Sequence, residues 1–249
     1  QPPCLILQCQ DIREHKRIER LKSEFVATVS HELRTPLTAI AGALGLVVGG
    51  ALGEVPGPMS GMLQIAHQNS RRLGLLINDL LDMEKLVAGK MTFHLSELNL
   101  LAQLEEALLH NQPYADEHGV SWRISQPLAG IRVCADSQRL QQVLANLLSN
   151  AAKFSPAGSQ IEVRMSRGGL GVRVSVIDQG PGIPAEFQGR IFSKFSQADA
   201  SDTRQKGGTG LGLAITKELM ERMGGQIGFD SPPAQGACFW IELAVQEGP

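Results

Sequence analysis

Two asparagines one helical turn apart, Asn146 and Asn150, stand with Lys153 on a stripe that also carries Arg139 and Gln142. A solvated helix face favours Glu and Lys, because asparagine is a poorer helix former. An amide oxygen is a neutral, hard ligand for a cation such as Mg²⁺, and a lysine is a point charge for phosphate. Asn-x-x-x-Asn also arises by chance on polar faces, so the stripe needs company. Further on, the strand-like run Val174 to Ile177 ends in Asp178-Gln179-Gly180-Pro181-Gly182. Asp178 can accept a hydrogen bond from an exocyclic amine such as that of adenine, and Gly180 and Gly182 let the backbone close against a flat ligand. The same residues also describe an ordinary turn after a strand.

A third group, Gly207-Gly208-Thr209-Gly210-Leu211-Gly212, runs straight into a helix-like segment. Free backbone N–H groups and the helix dipole bind phosphate at such a start. It is neither a P-loop nor a Rossmann fingerprint, since the spacing and the following Lys-Ser/Thr are missing. Between these glycine motifs, Phe192, Phe195 and the polar segment Ser196 to Lys206 read as a lid. Within it Arg204 and Lys206 either reach a terminal phosphate or are solvated loop charges. The fourth group is His31 beside Glu32, a nucleophilic ring next to a proton acceptor.

These side chains need elements to hold them. Leu33, Leu37, Ile40, Leu44 and Val47 recur at alternating spacings of four and three, the seam of a bundle helix. His31 precedes Leu33 by two positions, so at helical pitch it points roughly 160° away from that seam. Pro36 removes a backbone hydrogen bond and predicts a bend. From Arg13 to Glu24 the charges alternate in sign, as in a solvated coiled coil entering this helix. The helix is predicted to end near Gly49-Gly50. After a loop through Gly53 and Val55-Pro56-Gly57-Pro58, a second helix is expected from about Met59 to Val87. Its seam reads Met62, Ala66, Asn69, Leu73, Leu76, Leu80, Met83 and Val87, with His67 off the seam and facing solvent. Asn69 is either a register-setting layer or a tolerated polar one. Two helices make an antiparallel hairpin, and stripes this wide call for dimerisation into a four-helix bundle.

Gly89-Lys90 ends the helical part. A helix is expected over Asn99 to His118, and strands over Val120 to Ile124 and Ile131 to Cys134. Asp136 then caps a helix to about Phe154 with a core stripe of Leu140, Leu144, Leu147, Ala151 and Phe154. Strands follow at Ile161 to Arg167 and Val172 to Ile177, a helix at Thr209 to Met223, and closing strands at Gln226 to Phe229 and Ala237 to Leu243. This mixed order predicts an α/β sandwich with helices on one face of the sheet. The expected organisation is 1–12 as the remnant of an upstream domain, 13–89 as the helical domain and 90–249 as the α/β domain.

Composition narrows the function classes. At 249 residues the chain can bury two modest cores. A net charge of −2 gives no electrostatic case for nucleic acid or an anionic membrane. Cys4, Cys9, Cys134 and Cys238 form no C-x-x-C pair and fit buried thiols in a reducing, cytoplasmic setting. The uncharged run Leu37 to Gly53 is short and glycine-rich for a membrane span, so no membrane contact is expected from it. The start at Gln1, without Met or signal peptide, reads as a piece of a longer chain, whose parent can be membrane-attached.

The segment Phe25 to Thr38, with His31-Glu32-Leu33-Arg34-Thr35-Pro36 at its centre, resembles the phospho-acceptor box of sensor histidine kinases. The string from Leu140 to Pro156 resembles their asparagine box. The Asp-x-Gly-x-Gly turn, the phenylalanine pair and the glycine loop follow in the order of their ATPase domain, a Bergerat fold shared with gyrase. The resemblance covers about Arg20 to Leu243. It implies that His31 receives a phosphoryl group from ATP while Glu32 orients the ring. It implies also that Asn150 holds Mg²⁺ and that Asn146, Lys153 and the loop Gly208-Thr209-Gly210-Leu211-Gly212 support the phosphates. Asp178, Gly180 and Gly182 are implied around the adenine. Further implications are a homodimer, a response regulator whose aspartate takes the phosphoryl group, and, from the E-x-x-T pattern of Glu32 and Thr35, a reverse phosphatase activity. Some relatives carry an arginine after the second lid phenylalanine, where this chain has Ser196-Gln197, so the residue touching the terminal phosphate is left open. Cys4 to Gln10 with Asp11 to Arg17 resembles the exit of a PAS domain, although a helix cap at Asp11 accounts for those residues equally well. Two rival readings use fewer of these motifs. One is an ATPase that drives shape change and leaves His31 unmodified. The other is a dimeric scaffold that binds ATP without turnover.

Overall fold

The computed structural model describes residues 13–53, 55–196, 208–232 and 236–246. The run Cys4 to Gln10 that resembles a PAS exit, Arg204, Lys206 and most of the expected lid lie outside them. The chain divides into two compact units, Gln1–Gly89 and Lys90–Pro249.

The first unit is a helical hairpin of α1 (Arg13–Val48) and α2 (Gly57–Val87). α1 ends where Gly50 takes a φ of 75° and the Ala51 amide returns to the Leu46 carbonyl at 3.0 Å, a left-handed glycine closure. α2 opens with Pro58 in its first turn, where a missing N–H costs nothing. Arg34 bonds to Asn78, Leu37 lies by Gly74 and Gly45 by His67, so the pairing runs antiparallel. Leu37, Ile77 and Leu81 form the buried contact between the helices.

The packing corrects the expectation for His67 and shows which parts of the expected seams the hairpin uses. The face of α2 that meets α1 runs through Leu63, His67, Ser70, Gly74, Ile77 and Leu81, all buried or half-buried. Of the stripe read as the seam, Met83 is buried and Leu76 and Leu80 are half-buried, whereas Met62 and Leu73 are exposed by 74% and 47%. On α1 Leu37 is buried, whereas Leu33 and Ile40 are exposed. Each helix therefore carries two apolar stripes, and periodicity does not say which one its own hairpin uses. His67 is half-buried, with its ring facing Gly45, whose missing side chain makes room for it. Asn69 is exposed and donates to the Ile65 carbonyl of its own helix at 2.8 Å, so it is not a register layer within the hairpin.

The second unit has β1 (Ser96–Asn99), α3 (Leu100–His118), β2 (Ser121–Ser125), β3 (Arg132–Ala135), α4 (Ser137–Phe154), β4 (Gln160–Arg167) and β5 (Gly171–Ile177). A short α5 (Ala185–Gln188), α6 (Gly212–Arg222), β6 (Gln226–Asp230) and β7 (Cys238–Ala244) follow. The main sheet has the order β2-β4-β5-β7-β6, parallel between β2 and β4 and antiparallel elsewhere, with β1 and β3 as a separate pair. Ile161, Val163, Met165, Val172, Val174, Val176, Ile241 and Leu243 are buried on one face of the sheet. The helical side of the core is supplied by Leu104, Leu140, Leu144, Leu147, Leu148, Leu219 and Met220. Each such side chain taken out of water contributes roughly 1.5–3 kcal/mol. Val143, Leu148 and Ala152 widen the core stripe expected for α4.

α6 starts at Gly212, three residues later than expected. Gly210 holds a φ of 70°, and the Thr209 hydroxyl accepts the Leu211 N–H at 3.1 Å, which stops the helix from extending backwards. Asp136 caps α4: its carboxylate accepts the Arg139 amide at 3.1 Å and the His94 amide at 2.7 Å. Burial works to raise the Asp136 pKa, but these amides and Arg139 outweigh it and hold the group below its ordinary value. Cys134 and Cys238 are half-buried free thiols rather than fully enclosed ones.

The opposite face of the sheet holds an ion pair between a buried Glu242 and a half-buried Arg173. Glu242 has a side chain 3% exposed, meets Arg173 Nη2 at 2.6 Å and accepts the Leu170 amide at 3.2 Å. The Arg173 guanidinium stacks 3.9 Å from the Trp240 ring centre. Burial alone would raise the Glu242 pKa, yet Arg173 and the turn amides hold it below the usual range. Its stabilisation is therefore present above the unfolded value and lost as pH falls through the depressed folded one. Glu242→Ala strands the guanidinium and two turn amides. Because the half-buried guanidinium can still be hydrated, the substitution is expected to destabilise this unit by about 2–3 kcal/mol at neutral pH, a fall in melting temperature of about 7 °C by calorimetry.

Candidate functional site

In the second unit, one face of α4 and the start of α6 lie together. Asn146 Nδ2 donates to Thr216 Oγ1 at 2.8 Å, and Asn150 Nδ2 reaches Asn146 Oδ1 at 3.5 Å. Gly212 sits directly against the Asn146 amide, so close that a Cβ there would collide with it. A Cβ on Gly208 would come within 3.0 Å of Lys153 Nζ. Glycine is thus required at Gly212 by the approach of the loop to the asparagine face, whereas the flexible Lys153 side chain can give way at Gly208. Lys153 also lies 4.7 Å from the ring centre of Phe154. The first turn of α6 leaves its leading N–H groups without partners inside the helix. Asn146, Asn150, Lys153, Gly208, Thr209, Gly210, Leu211 and Gly212 are therefore brought into one neighbourhood.

Asp178 is buried at the end of β5. Its Oδ1 accepts the Gly180 amide at 2.8 Å and the Ala237 amide at 3.0 Å. Among the described residues, nothing donates to Oδ2. Burial pushes the Asp178 pKa up, and the two amides offset this only in part. Gly180 is pressed against the Phe154 carbonyl, which a Cβ would meet at 2.8 Å, at the C-terminal end of α4. Gly182 has a φ of 81° and Gly236 one of 79°. A Cβ on Gly236 would run into the Asp178 carbonyl oxygen. Ser231 ties this turn together, donating to the Gly236 carbonyl at 3.0 Å and accepting the Ile183 amide at 2.8 Å.

Sequence reading missed Ser231, Gly236 and Thr216. The signal available was a glycine just ahead of the last strand and a buried threonine inside an apolar helix, and neither points to its distant partner. Phe192 packs 6.0 Å from Phe229, whereas Phe195 is exposed with a φ of 59°.

In the first unit His31 and Glu32 are open to solvent, with side chains exposed by 75% and 79%. His31 Nδ1 lies 3.8 Å from Glu32 Oε1, a close approach longer than a hydrogen bond. Thr35 is exposed one turn after His31. Arg34, not singled out from sequence, reaches across to α2 and donates through Nε and Nη2 to Asn78 Oδ1 at 3.1 and 2.9 Å, an exposed link between the two helices. Ser30 is buried one turn earlier. The hairpin is thus tied at this level through Arg34 while the imidazole stays open to solvent. Among the described residues there is no cluster of three or more His, Cys, Asp or Glu side chains able to hold a metal ion. No described helix is long and apolar enough to cross a membrane.

Residues 21–89 match the family model "His Kinase A (phospho-acceptor) domain", and residues 135–247 match "Histidine kinase-, DNA gyrase B-, and HSP90-like ATPase". The chain is 36% identical over 236 residues to the signal transduction histidine-protein kinase BarA of Escherichia coli, covering 92% of this chain and 25% of BarA. It is 40% identical over 235 residues to the sensor histidine kinase AruS of Pseudomonas aeruginosa, covering 91% of this chain and 23% of AruS. It therefore spans about a quarter of the length of these relatives. Among solved structures, full-length ShkA in complex with AMPPNP matches with a TM-score of 0.69 at 33% identity, over 90% of this chain and 46% of that one. The catalytic domain of the histidine kinase ThkA matches with a TM-score of 0.52 at 31% identity, over 62% of this chain and 96% of that domain. With the phospho-acceptor and ATPase models matched in chain order and the ThkA domain covered almost end to end, this chain belongs to the sensor histidine kinases, as a catalytic core.

Proposed function

We propose that this chain, as a homodimer, phosphorylates its own His31 from Mg²⁺-ATP and passes the phosphoryl group to an aspartate of a response regulator. The observation that carries this reading is an exposed His31–Glu32 pair in the same chain as an Asp178 carboxylate with one oxygen that no described residue hydrogen-bonds and a glycine loop against two asparagines. Asp178 Oδ2 accepts from the adenine amine, with Gly180 and Gly182 giving the ring access. Asn146, Lys153 and the N–H groups at the start of α6 hold phosphate oxygens. In the transfer, His31 Nε2 forms the bond to the γ-phosphorus. The bond from that phosphorus to its bridging oxygen breaks, ADP departs, and the Nδ1 proton passes to Glu32.

Mg²⁺ fits the donor set: Asn150 offers a neutral oxygen that no described residue hydrogen-bonds, with Asn146 beside it. When bound, the ion offsets the charge on the phosphates, and the protein contributes positioning. The exposed second stripe of each hairpin helix supports the dimer, because its apolar residues find cover in a four-helix bundle.

The test is incubation with γ-³²P-ATP and Mg²⁺. Label on the protein that survives alkali and is lost in acid is the expected phosphoramidate; ATP hydrolysis without such label overturns the proposal. Thr35, exposed one turn after His31, is assigned the role of orienting a water beside a docked regulator. Thr35→Ala is expected to slow dephosphorylation of the phosphorylated regulator by about tenfold, within the range of a positioned polar group, while His31 labelling stays within twofold. A time course of regulator dephosphorylation checks this, and an unchanged rate removes the phosphatase role.

A further inference from the structure

Thr216 is 1% exposed in the middle of α6, and its hydroxyl does two things at once. It donates to the Gly212 carbonyl at 2.9 Å and accepts from Asn146 Nδ2 at 2.8 Å. A carbonyl oxygen accepts and never donates, so the single hydroxyl proton is committed to Gly212. What the hydroxyl presents to Asn146 is then a lone pair, and the amide must turn its Nδ2 toward it. Asn146 Oδ1 consequently faces Asn150 and takes that residue's Nδ2 at 3.5 Å. The Asn150 amide is in turn oriented, and its Oδ1, unbonded among the described residues, is left for another ligand.

We propose that Thr216 is a positioning residue: through Asn146 it sets the amide orientation of Asn150, so that an oxygen rather than an NH₂ group faces the nucleotide-bound cation. This rests on the reading that Asn150 serves Mg²⁺. An inverted amide would present two N–H donors to a cation, the wrong sign of dipole. Valine at 216 would keep the volume and remove the relay, leaving Asn146 Nδ2 unpaired and both amides free to invert. Serine keeps the hydroxyl and loses a methyl group.

The experiment measures AMPPNP affinity of the full chain by titration calorimetry, with Mg²⁺ and with EDTA, for wild type, Thr216→Val and Thr216→Ser. Wild type is expected to bind more tightly with Mg²⁺. Thr216→Val is expected to lose about tenfold in Mg²⁺, the worth of one hydrogen bond to a charged site, and at most about threefold in EDTA, where only the Asn146 contact to phosphate is loosened. Thr216→Ser is expected to stay within threefold of wild type in both. A wild type indifferent to Mg²⁺ overturns the reading of the site itself. A wild type that responds to Mg²⁺ while Thr216→Val matches it, or loses as much in EDTA, overturns the role of Thr216 alone. Melting temperatures without ligand identify a general packing loss, which would lower affinity in both conditions and count against the proposal.

Discussion

Exchanging His31 for glutamine is expected to abolish the acid-labile label completely and to leave nucleotide affinity within twofold of wild type. Glutamine has similar reach but a non-basic amide nitrogen, so no lone pair is available to attack phosphorus. The side chain is 75% exposed and takes no part in the buried Leu37–Ile77–Leu81 contact, so its replacement costs less than about 0.5 kcal/mol of stability. The groups proposed to bind nucleotide all belong to the other compact unit. Loss of label with retained binding therefore separates acceptor from binding site. Glu32→Gln is expected to slow labelling by about 100-fold without abolishing it, the usual worth of a proton acceptor whose absence water can partly cover. The check is the rate of label incorporation alongside calorimetric nucleotide affinity. Persistent acid-labile label in His31→Gln would place the acceptor elsewhere in the chain.

Asp178→Asn is expected to weaken ATP binding about 100-fold while leaving the unliganded fold intact. Asparagine keeps an oxygen at the Oδ1 position, where the Gly180 and Ala237 amides are satisfied. It replaces Oδ2 by an NH₂ group, so a donor meets the adenine amine. Losing a charge-assisted hydrogen bond and leaving an unpaired donor costs about 3 kcal/mol, about two factors of ten. Inosine triphosphate, with a carbonyl where adenine has its amine, is expected to lose far less or to gain, and competition titrations read this inversion directly. Stability gives an independent control. Because burial raises the Asp178 pKa, its contribution is fully present below the unfolded value and is lost as pH rises through the folded one. Burial thus makes ionisation of Asp178 a cost to the unliganded fold, and the uncharged Asp178→Asn is expected to match or exceed the wild-type melting temperature. Asp178→Ala behaves differently, since it orphans two buried amides and lowers both stability and binding.

The sequence determined the elements and the residue types of the chemistry. The alternation of four and three around Leu37 predicted a bundle helix, and α1 has its hairpin contact there. The apolar spacing from Leu140 to Ala151 placed Asn146 and Asn150 together on the other side of α4, because a helix turns the same way whatever it packs against. Asp136 was legible as a cap for the same reason: capping is local chemistry. The tertiary structure alone decided which of two apolar stripes the hairpin buries, turning His67 inward against Gly45 and leaving Met62 outside. It alone joined Arg34 to Asn78, Asp178 to Ala237 and Asn146 to Thr216, pairs separated by 44, 59 and 70 positions. Periodicity and capping are properties of neighbours along the chain. The direction in which an amide or carboxylate must point is set by whatever hydrogen-bonding group the fold carries up to it, and that group has no fixed distance in sequence.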